Sequence, residues 1–244
     1  MYQPRIYRNW VGARDLITYR VIVEESDCLI STRVPLENKA RRAIVKYREI
    51  LKKYIATHPL FLTSLEPVTV ETDSPEIVKA MAAAGEMANV GPMAAVAGAI
   101  AFFTGKELRN FSPEVIIENG GDIYLASQKT RLAGIYAGNS PFTGKIGLEI
   151  EGKDTPLGIS TSSGTVGHSL SFGKADAVVI IADDAIISDA VATAIGNLVL
   201  SVADIPVALE KVKELPGVRG AVIIKGEEIG VWGKIKLIRT EAQP

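Results

Sequence analysis

The sequence has few cysteines and histidines, the side chains that many metal and catalytic sites use. Its 244 residues include one cysteine, Cys28, and two histidines, His58 and His168. A single cysteine excludes an internal disulfide, and these three side chains are too few for a Cys/His zinc cluster. Any bound metal ion must therefore be held mainly by oxygen atoms.

The sequence also lacks a dominant charge and a long apolar run. There are 27 Lys and Arg residues against 28 Asp and Glu residues, mixed along the whole chain, so no basic stripe predicts a nucleic-acid or membrane partner. The longest apolar stretch, from Gly91 to Phe103, falls well short of the ~20 residues that a spanning helix needs. Arginines at positions 5 and 8 are not followed by an apolar run, which is not typical of a secretory signal. We therefore expect a cytoplasmic protein.

The first half of the chain predicts a hairpin followed by helices. Residues 16–34 alternate as two strands with a turn at 25–27, and residues 37–57 carry apolar side chains three and four apart, as in an amphipathic helix. A second helix is predicted from Ser74, whose hydroxyl would cap it, to about residue 89. Residues 90–105 are apolar on every side and predict a buried helix that ends at Gly105.

The second half predicts more strands than helices. Short apolar runs at 115–117, 123–125, 132–137 and 146–150 favour an antiparallel meander, and a buried strand follows at 177–181. Helices are predicted at 186–200 and 206–215, and last strands at 221–224 and 234–238. This order predicts an α+β fold with antiparallel sheets, because a doubly wound sheet would alternate strand and helix regularly. With no linker in sight, we expect one domain over residues 1–244, compatible with two related halves.

The first candidate site is the predicted helix that carries SDAVATAIGN, residues 188–197. Asp189 and Thr193 are four residues apart, so one turn places a carboxylate and a hydroxyl on the same face. Mg²⁺ prefers such oxygen donors and usually takes only one or two from protein side chains. The pattern predicts a magnesium site. In the alternative interpretation, Asp189 merely lies in the first turn, where an acid suits the helix dipole, and Thr193 bonds a backbone carbonyl.

The second candidate is the turn in ENGGDIYL, residues 118–125. Paired glycines permit a sharp turn with its backbone open to a ligand, and a polar residue lies on either side of them. We therefore predict nucleotide contacts from Asn119, Gly120, Gly121 and Asp122. A tight hairpin would use the same residues without any ligand, and this alternative stays open.

The third candidate is the small, polar stretch at residues 160–176. Such loops offer hydroxyls and free backbone N–H groups to phosphate oxygens. His168 is predicted to act as a general base or as a donor to phosphate, and the alternative is a bond to a loop carbonyl. The run GHSLS lacks the final glycine of a nucleophile elbow, which argues against a serine hydrolase. The predicted ligand contacts are Thr161, Ser162, Ser163, Gly164 and Ser169.

Taken together and in this order, GGD at 120–122, TSSG at 161–164 and DAVATAI at 189–195 resemble the successive motifs of the ApbE-like superfamily. Its best-studied members are magnesium-dependent flavin transferases that use FAD. The stretches VGPMAAVAGAIA, ENGGDIYL and TSSGTVGHSLSFGKADA are similar to a shorter branch of that superfamily found in archaea and bacteria. This likeness covers nearly the whole chain.

The resemblance implies a T-fold-like α+β architecture with FAD or FMN in a central cleft and Mg²⁺ on Asp189 and Thr193. It also implies that FMN passes to a threonine hydroxyl of an acceptor protein with release of AMP. His168 would take the place of the transferases' histidine. The transferases carry theirs in a histidine-isoleucine-isoleucine-aspartate-proline stretch after a longer insertion, whereas TVGHSLSFG follows TSSG here.

Two hypotheses follow from these residues. In the first, the chain is a magnesium-dependent transferase or phosphohydrolase that acts on FAD or a related dinucleotide. In the second, it is a binding module that holds a cofactor without breaking a bond. The sequence leaves open the physiological ligand, the acceptor protein and whether the chain forms a homo-oligomer.

Overall fold

The computed structural model describes residues 13–164 and 172–240. Within these ranges the chain forms strands, α-helices and three short 3₁₀ helices. The 3₁₀ helices span Pro92–Ala95, Gly152–Asp154 and Val202–Asp204. In chain order the elements are β1 (Ile17–Val23), β2 (Ser26–Thr32), α1 (Glu37–Thr57), α2 (Leu60–Thr63), α3 (Glu76–Ala88), α4 (Val96–Leu108), β3 (Val115–Asn119), β4 (Asp122–Ala126), β5 (Arg131–Gly134), β6 (Ile146–Ile150), β7 (Leu157–Ser162), β8 (Ala177–Ala182), α5 (Ala185–Leu198), α6 (Ile205–Lys213), β9 (Val218–Lys225), β10 (Glu228–Gly233) and β11 (Lys236–Arg239).

The strands form two antiparallel sheets. The larger sheet has the order β1-β2-β3-β4-β7-β8-β9-β10, and the smaller has the order β11-β6-β5. Strand pairing is antiparallel throughout both sheets. The predicted α+β class with antiparallel sheets and packed helices is thus confirmed, although β5 and β6 leave the expected meander to build the second sheet.

The larger sheet is covered on both faces. Side chains alternate along each strand, so successive residues of β8 join different cores. Val178 and Ile180 pack with the helices, whereas Val179 and Ile181 pack with the smaller sheet. This burial on both sides explains why the sequence of β8 is an unbroken apolar run.

The sequence predicted the bounds of α1 and the hairpin before it, but two local details were wrong. The hairpin turns at Glu24, which adopts a left-handed φ of 51°, so Ser26 and Asp27 already belong to β2. Ser74 does not cap α3, because its hydroxyl donates to a side-chain oxygen of Glu71 at 3.2 Å.

Helix α4 continues past its predicted end at Gly105. The glycine lies inside the helix because the ring of Tyr124 packs against it: a Cβ atom at residue 105 would lie 2.2 Å from Tyr124 Cδ1. Strand β10 was missed altogether, since glycines at 230 and 233 interrupt its apolar alternation.

Within the described ranges, no single helix is long and apolar enough to cross a membrane. Helix α3 and the segment Pro92–Leu108 meet the length and composition criteria together, but the chain bends by 106° between them.

Candidate functional site

Helix α5 lies directly on β7 and carries the predicted metal residues. Its N-terminus is capped by Asp184, whose Oδ1 accepts hydrogen bonds from the N–H groups of Ile186 and Ile187, each at 2.8 Å. Asp189 therefore lies in the second turn, and the interpretation of Asp189 as an ordinary first-turn acid is wrong.

The carboxyl groups of Asp122 and Asp189 are hydrogen-bonded to each other. Asp122 is the first residue of β4 and directly follows a turn in which Gly120 and Gly121 have positive φ values of 73° and 111°. Each aspartate is only 9% exposed. The fold thus brings the glycine turn next to the α5 motif, although Asp122 and Asp189 are 67 residues apart in the sequence.

Burial dominates the electrostatics of this pair. It raises the pKa of Asp122 to about 7, the charge of Glu118 adds to the increase, and a hydrogen bond from Ser160 opposes it. Burial also raises the pKa of Asp189 well above its usual range, and the neighbouring Asp122 raises it further. Two close, buried carboxylates cannot both ionise cheaply, so without a compensating cation they share a proton.

The start of α4 supplies backbone donors to the pair. The N–H of Gly98 donates to Asp189 Oδ2 at 2.8 Å, and the N–H of Ala97 also donates to that carboxyl. Amides at a helix start suit an anion because they have no partner within the helix. In the sequence, the only sign of this contact between α4 and Asp189 is the glycine in VAGA, and a glycine there is equally typical of close helix packing.

Asn119 holds the start of α4 against β3. Its Nδ2 donates to the backbone oxygen of Ala97 at 3.1 Å, so this amide nitrogen is engaged within the protein. The backbone N–H of Gly121 is engaged too, since it donates to Glu118 Oε1 at 2.8 Å. Of the predicted contacts in this turn, the backbone at Gly120 is exposed, whereas Asp122 is buried and its carboxyl is engaged with Asp189 and Ser160.

The TSSG segment runs beside the same turn. Asp122 is paired with Ser160 in the register of β4 and β7, so Thr161 and Ser162 follow at once. A Cβ atom at Gly196 would lie 2.9 Å from Ser162 Oγ, which places that hydroxyl against the last turns of α5. Ser163 is half-buried, and Gly164 donates its N–H to the oxygen of Ala175 at 3.0 Å.

Thr193 lies one turn beyond Asp189 and is half-buried. Within residues 13–164 and 172–240, its hydroxyl makes no hydrogen bond, so the expected alternative, a bond to a backbone carbonyl, is not observed there. The hydroxyl is available to a ligand on the face of α5 that carries Asp189.

His168 and Ser169 lie outside the described residues. The chain is fixed where it becomes described again, because the N–H of Phe172 donates to Asn197 Oδ1 at 2.9 Å and the N–H of Lys174 donates to the oxygen of Val199 at 2.8 Å. The stretch after the predicted base is therefore attached to the C-terminal end of α5.

The donors at this site suit a hard divalent cation. Among the described residues, no group of three or more His, Cys, Asp and Glu side chains could hold a metal ion. What the fold provides is two buried carboxylates and a nearby hydroxyl, and Mg²⁺ typically uses one or two carboxylates with water and phosphate completing its shell. A cation here would also offset the second negative charge, which burial otherwise disfavours.

Comparisons by sequence find related proteins over most of the chain. The family model described as "AbpE bacteria" matches residues 8–231. The UPF0280 protein MJ1526 of Methanocaldococcus jannaschii is 44% identical over 229 residues, which cover 91% of this chain and 93% of the relative. A UPF0280 protein of Methanosarcina acetivorans is 42% identical over 207 residues, covering 84% of this chain and 81% of the relative.

Comparisons of structure identify the fold. The ApbE protein of Thermotoga maritima superposes with a TM-score of 0.58 at 13% identity, covering 93% of this chain and 97% of that one. The flavinyl transferase ApbE of Pseudomonas stutzeri gives a TM-score of 0.58 at 12% identity, with 93% and 95% covered. The chain therefore has the fold of the ApbE flavin transferases and belongs to the AbpE bacteria family, an ApbE-like branch that includes the archaeal UPF0280 proteins.

Proposed function

We propose that this protein binds a flavin dinucleotide and, with a divalent cation at Asp122, Asp189 and Thr193, cleaves its pyrophosphate. The observation that carries the proposal is the buried, hydrogen-bonded pair of Asp122 and Asp189. Such a pair is costly as a purely structural feature, since one carboxyl must stay protonated or be compensated. We choose a flavin dinucleotide as the ligand because solved structures with this fold are flavin transferases.

Each part of the site has a stated role. Asp189, oriented by the amides of α4, and Thr193 would hold the cation, and Asp122 would complete its protein ligands. The cation would neutralise the charge of the diphosphate as its bond breaks. The exposed backbone at Gly120 and the hydroxyls of the TSSG segment lie beside the proposed cation site and would orient the nucleotide.

The proposed transfer needs a base and an acceptor. An acceptor hydroxyl would form a bond to the phosphorus on the FMN side, the pyrophosphate P–O bond would break, and AMP would leave with the bridging oxygen. The hydroxyl proton would pass to His168, because histidine is a common general base at neutral pH. A threonine of an acceptor protein gives a flavinylated product, and water in its place gives free FMN.

The first test is AMP release from FAD with and without MgCl₂. Asp189→Asn is the informative variant, because the amide oxygen can still accept the hydrogen bond from Gly98 while the charge is lost. Asp183→Asn is the matched control, since Asp183 is exposed and pairs with Arg219 outside the site. We expect magnesium-dependent AMP release from the wild type and the control, and its loss in Asp189→Asn.

The competing hypothesis, a cofactor-binding module, gives a different result. Such a protein would bind FAD, seen as a change in flavin fluorescence, and release no AMP under any condition. That outcome would reject the enzyme and retain the ligand. Failure of the wild type to bind either FAD or a divalent cation would reject the proposed function as a whole.

A further inference from the structure

Two buried serines lie beneath the carboxyl pair. Ser160 in β7 and Ser188 in α5 are both fully buried, and their Oγ atoms are 2.8 Å apart. Helix α5 can approach β7 this closely because Gly158 lies beneath it: a Cβ atom there would be 2.4 Å from Ala185 Cα. The two hydroxyls thus fill a polar position in an otherwise apolar contact between helix and strand.

The hydroxyls form a chain with a defined direction. Ser160 faces Asp122 across the β4–β7 register, and its hydroxyl donates to the Asp122 carboxyl. A hydroxyl has one hydrogen, so when Ser160 donates to the ionised Asp122, Ser188 donates in the 2.8 Å contact between the serines. Among the described residues, the oxygen of Ala185 is the other acceptor within reach of Ser188, and it is more distant at 3.3 Å. The order of donation is Ser188 to Ser160 to Asp122.

This chain restricts the Asp122 carboxyl. One side of the group is held by Ser160 and another by Asp189, and the residue itself is fixed by its position at the start of β4. Rotation of the Asp122 carboxyl would break its bond to Ser160 at a buried position, where the loss of a hydrogen bond is costly.

We propose that Ser160 and Ser188 are positioning residues that fix the Asp122 carboxylate and thereby make the cation seat selective for Mg²⁺ over Ca²⁺. The inference rests on the proposed function. Mg²⁺ demands near-octahedral geometry at short distances, whereas Ca²⁺ accepts longer distances and irregular shells. A carboxylate that is held in place therefore favours Mg²⁺, and a carboxylate that is free to rotate penalises Mg²⁺ more than Ca²⁺.

The test uses bound Mn²⁺, detected by water-proton relaxation, and its displacement by Mg²⁺ and by Ca²⁺. In Ser160→Ala, we expect the dissociation constant for Mg²⁺ to rise about tenfold and that for Ca²⁺ at most about threefold, as one hydrogen bond to a charged group is lost. Ser188→Ala should give a smaller change in the same direction, because Ser160 still donates to Asp122. Ser160→Cys keeps the shape with a weak donor and should resemble Ser160→Ala.

The matched control is Ser31→Ala. Ser31 is a buried serine of the same sheet whose Oγ is 2.8 Å from Thr18 Oγ1, and its strand, β2, is separated from β4 by β3. It should leave both dissociation constants unchanged. Equal loss of Mg²⁺ and Ca²⁺ affinity in Ser160→Ala and Ser160→Cys would overturn the positioning role, as would no change in either. A wild type that binds no Mn²⁺ would overturn the proposed function itself and this inference with it.

Discussion

The backbone of Gly98 in α4 and the side chain of Asp189 in α5 are in direct contact, and only glycine permits it. The Gly98 N–H lies 2.8 Å from Asp189 Oδ2. A Cβ atom at residue 98 would lie 2.8 Å from Asp189 Cβ and 1.9 Å from the oxygen of Ala185. The start of one helix is therefore pressed against the second turn of another, and their separation would release Asp189.

Substitution of Gly98 by alanine should damage stability and cation binding together. The added methyl group must push α4 away from α5, and overpacking of this kind costs about 1–3 kcal/mol of unfolding free energy. The Asp189 carboxyl would lose its backbone donors, so the dissociation constant for Mn²⁺ should rise at least about tenfold. Urea unfolding and water-proton relaxation measure the two effects.

Gly226→Ala is the control for this prediction. A Cβ atom at residue 226 would have no neighbour within 4 Å, although its φ of 62° is left-handed. It should cost about 1 kcal/mol of unfolding free energy and leave Mn²⁺ binding intact. Normal cation binding in a folded Gly98→Ala protein would show that Asp189 needs no support from α4.

The stability of the cation-free protein should fall as the pH rises toward neutrality. The pKa of Asp122 is about 7 in the folded protein against an ordinary value of 3.8, so the folded state binds the extra proton. This contribution is complete below about pH 4 and is lost as the pH rises through 7, with a slope of up to about 1.4 kcal/mol per pH unit. The measurement is urea unfolding between pH 4 and 8.

The difference between the wild type and Asp122→Asn isolates the titration of the Asp122 and Asp189 pair, because acidic groups away from the pair titrate alike in both. The wild type should lose stability relative to the variant as the pH rises, and saturating MgCl₂ at pH 8 should restore it. A difference that does not vary with pH would mean that Asp122 titrates normally.

Another buried carboxylate, outside the site, is predicted to serve stability alone. Glu114 is fully buried and accepts hydrogen bonds from Arg131 at 2.7 Å and from Ser127 at 2.6 Å. Burial tends to raise its pKa, but the bonds from Ser127 and Arg131 outweigh it and the pKa is lowered overall. Glu114→Gln should therefore cost about 3 kcal/mol or more, because it leaves Arg131 buried with one partner fewer.

Glu151→Gln provides the comparison for Glu114→Gln. Glu151 forms an ion pair with Lys153 at 2.6 Å, but both side chains are exposed, so the unfolding free energy should stay essentially unchanged. Neither variant should alter Mn²⁺ binding. A loss of binding in Glu114→Gln without unfolding would connect this ion pair to the site.

Hydrophobic periodicity was enough to predict much of the fold, but it failed where tertiary contacts determine the bounds or the pairing of an element. The three-and-four spacing in α1 gave its bounds directly, since one face of that helix is buried and the other is not. Gly105 was misread as a helix end because the reason for the glycine is the ring of Tyr124, which belongs to β4. The separation of β5 and β6 into a second sheet likewise depends on their pairing with β11, a contact that no local pattern encodes.

The candidate site was predicted motif by motif, but the connections between motifs were not. Asp122 and Asp189 were assigned to different roles, a nucleotide turn and a metal helix, and their direct contact follows only from the packing of α5 on β4 and β7. Ser160 and Ser188 are the first residues of two candidate stretches, 160–176 and 188–197, but neither was assigned a role, and Gly98 was missed because it lies in an apolar stretch. Their significance lies in the polar atom that faces each of them across the fold.

The role of the Thr193 hydroxyl can be separated from the rest of the site. Thr193→Val replaces the hydroxyl by a methyl group of similar size, and the hydroxyl has no partner within the described residues, so the unfolding free energy should change by less than about 0.5 kcal/mol. If the oxygen binds the cation, the dissociation constant for Mn²⁺ should rise about tenfold. Thr193→Ser keeps the oxygen and should bind like the wild type. Unchanged Mn²⁺ affinity in Thr193→Val would show that this hydroxyl is not a ligand of the cation. The two aspartates would then be the remaining protein ligands, and the pH dependence of Asp122→Asn tests that pair independently.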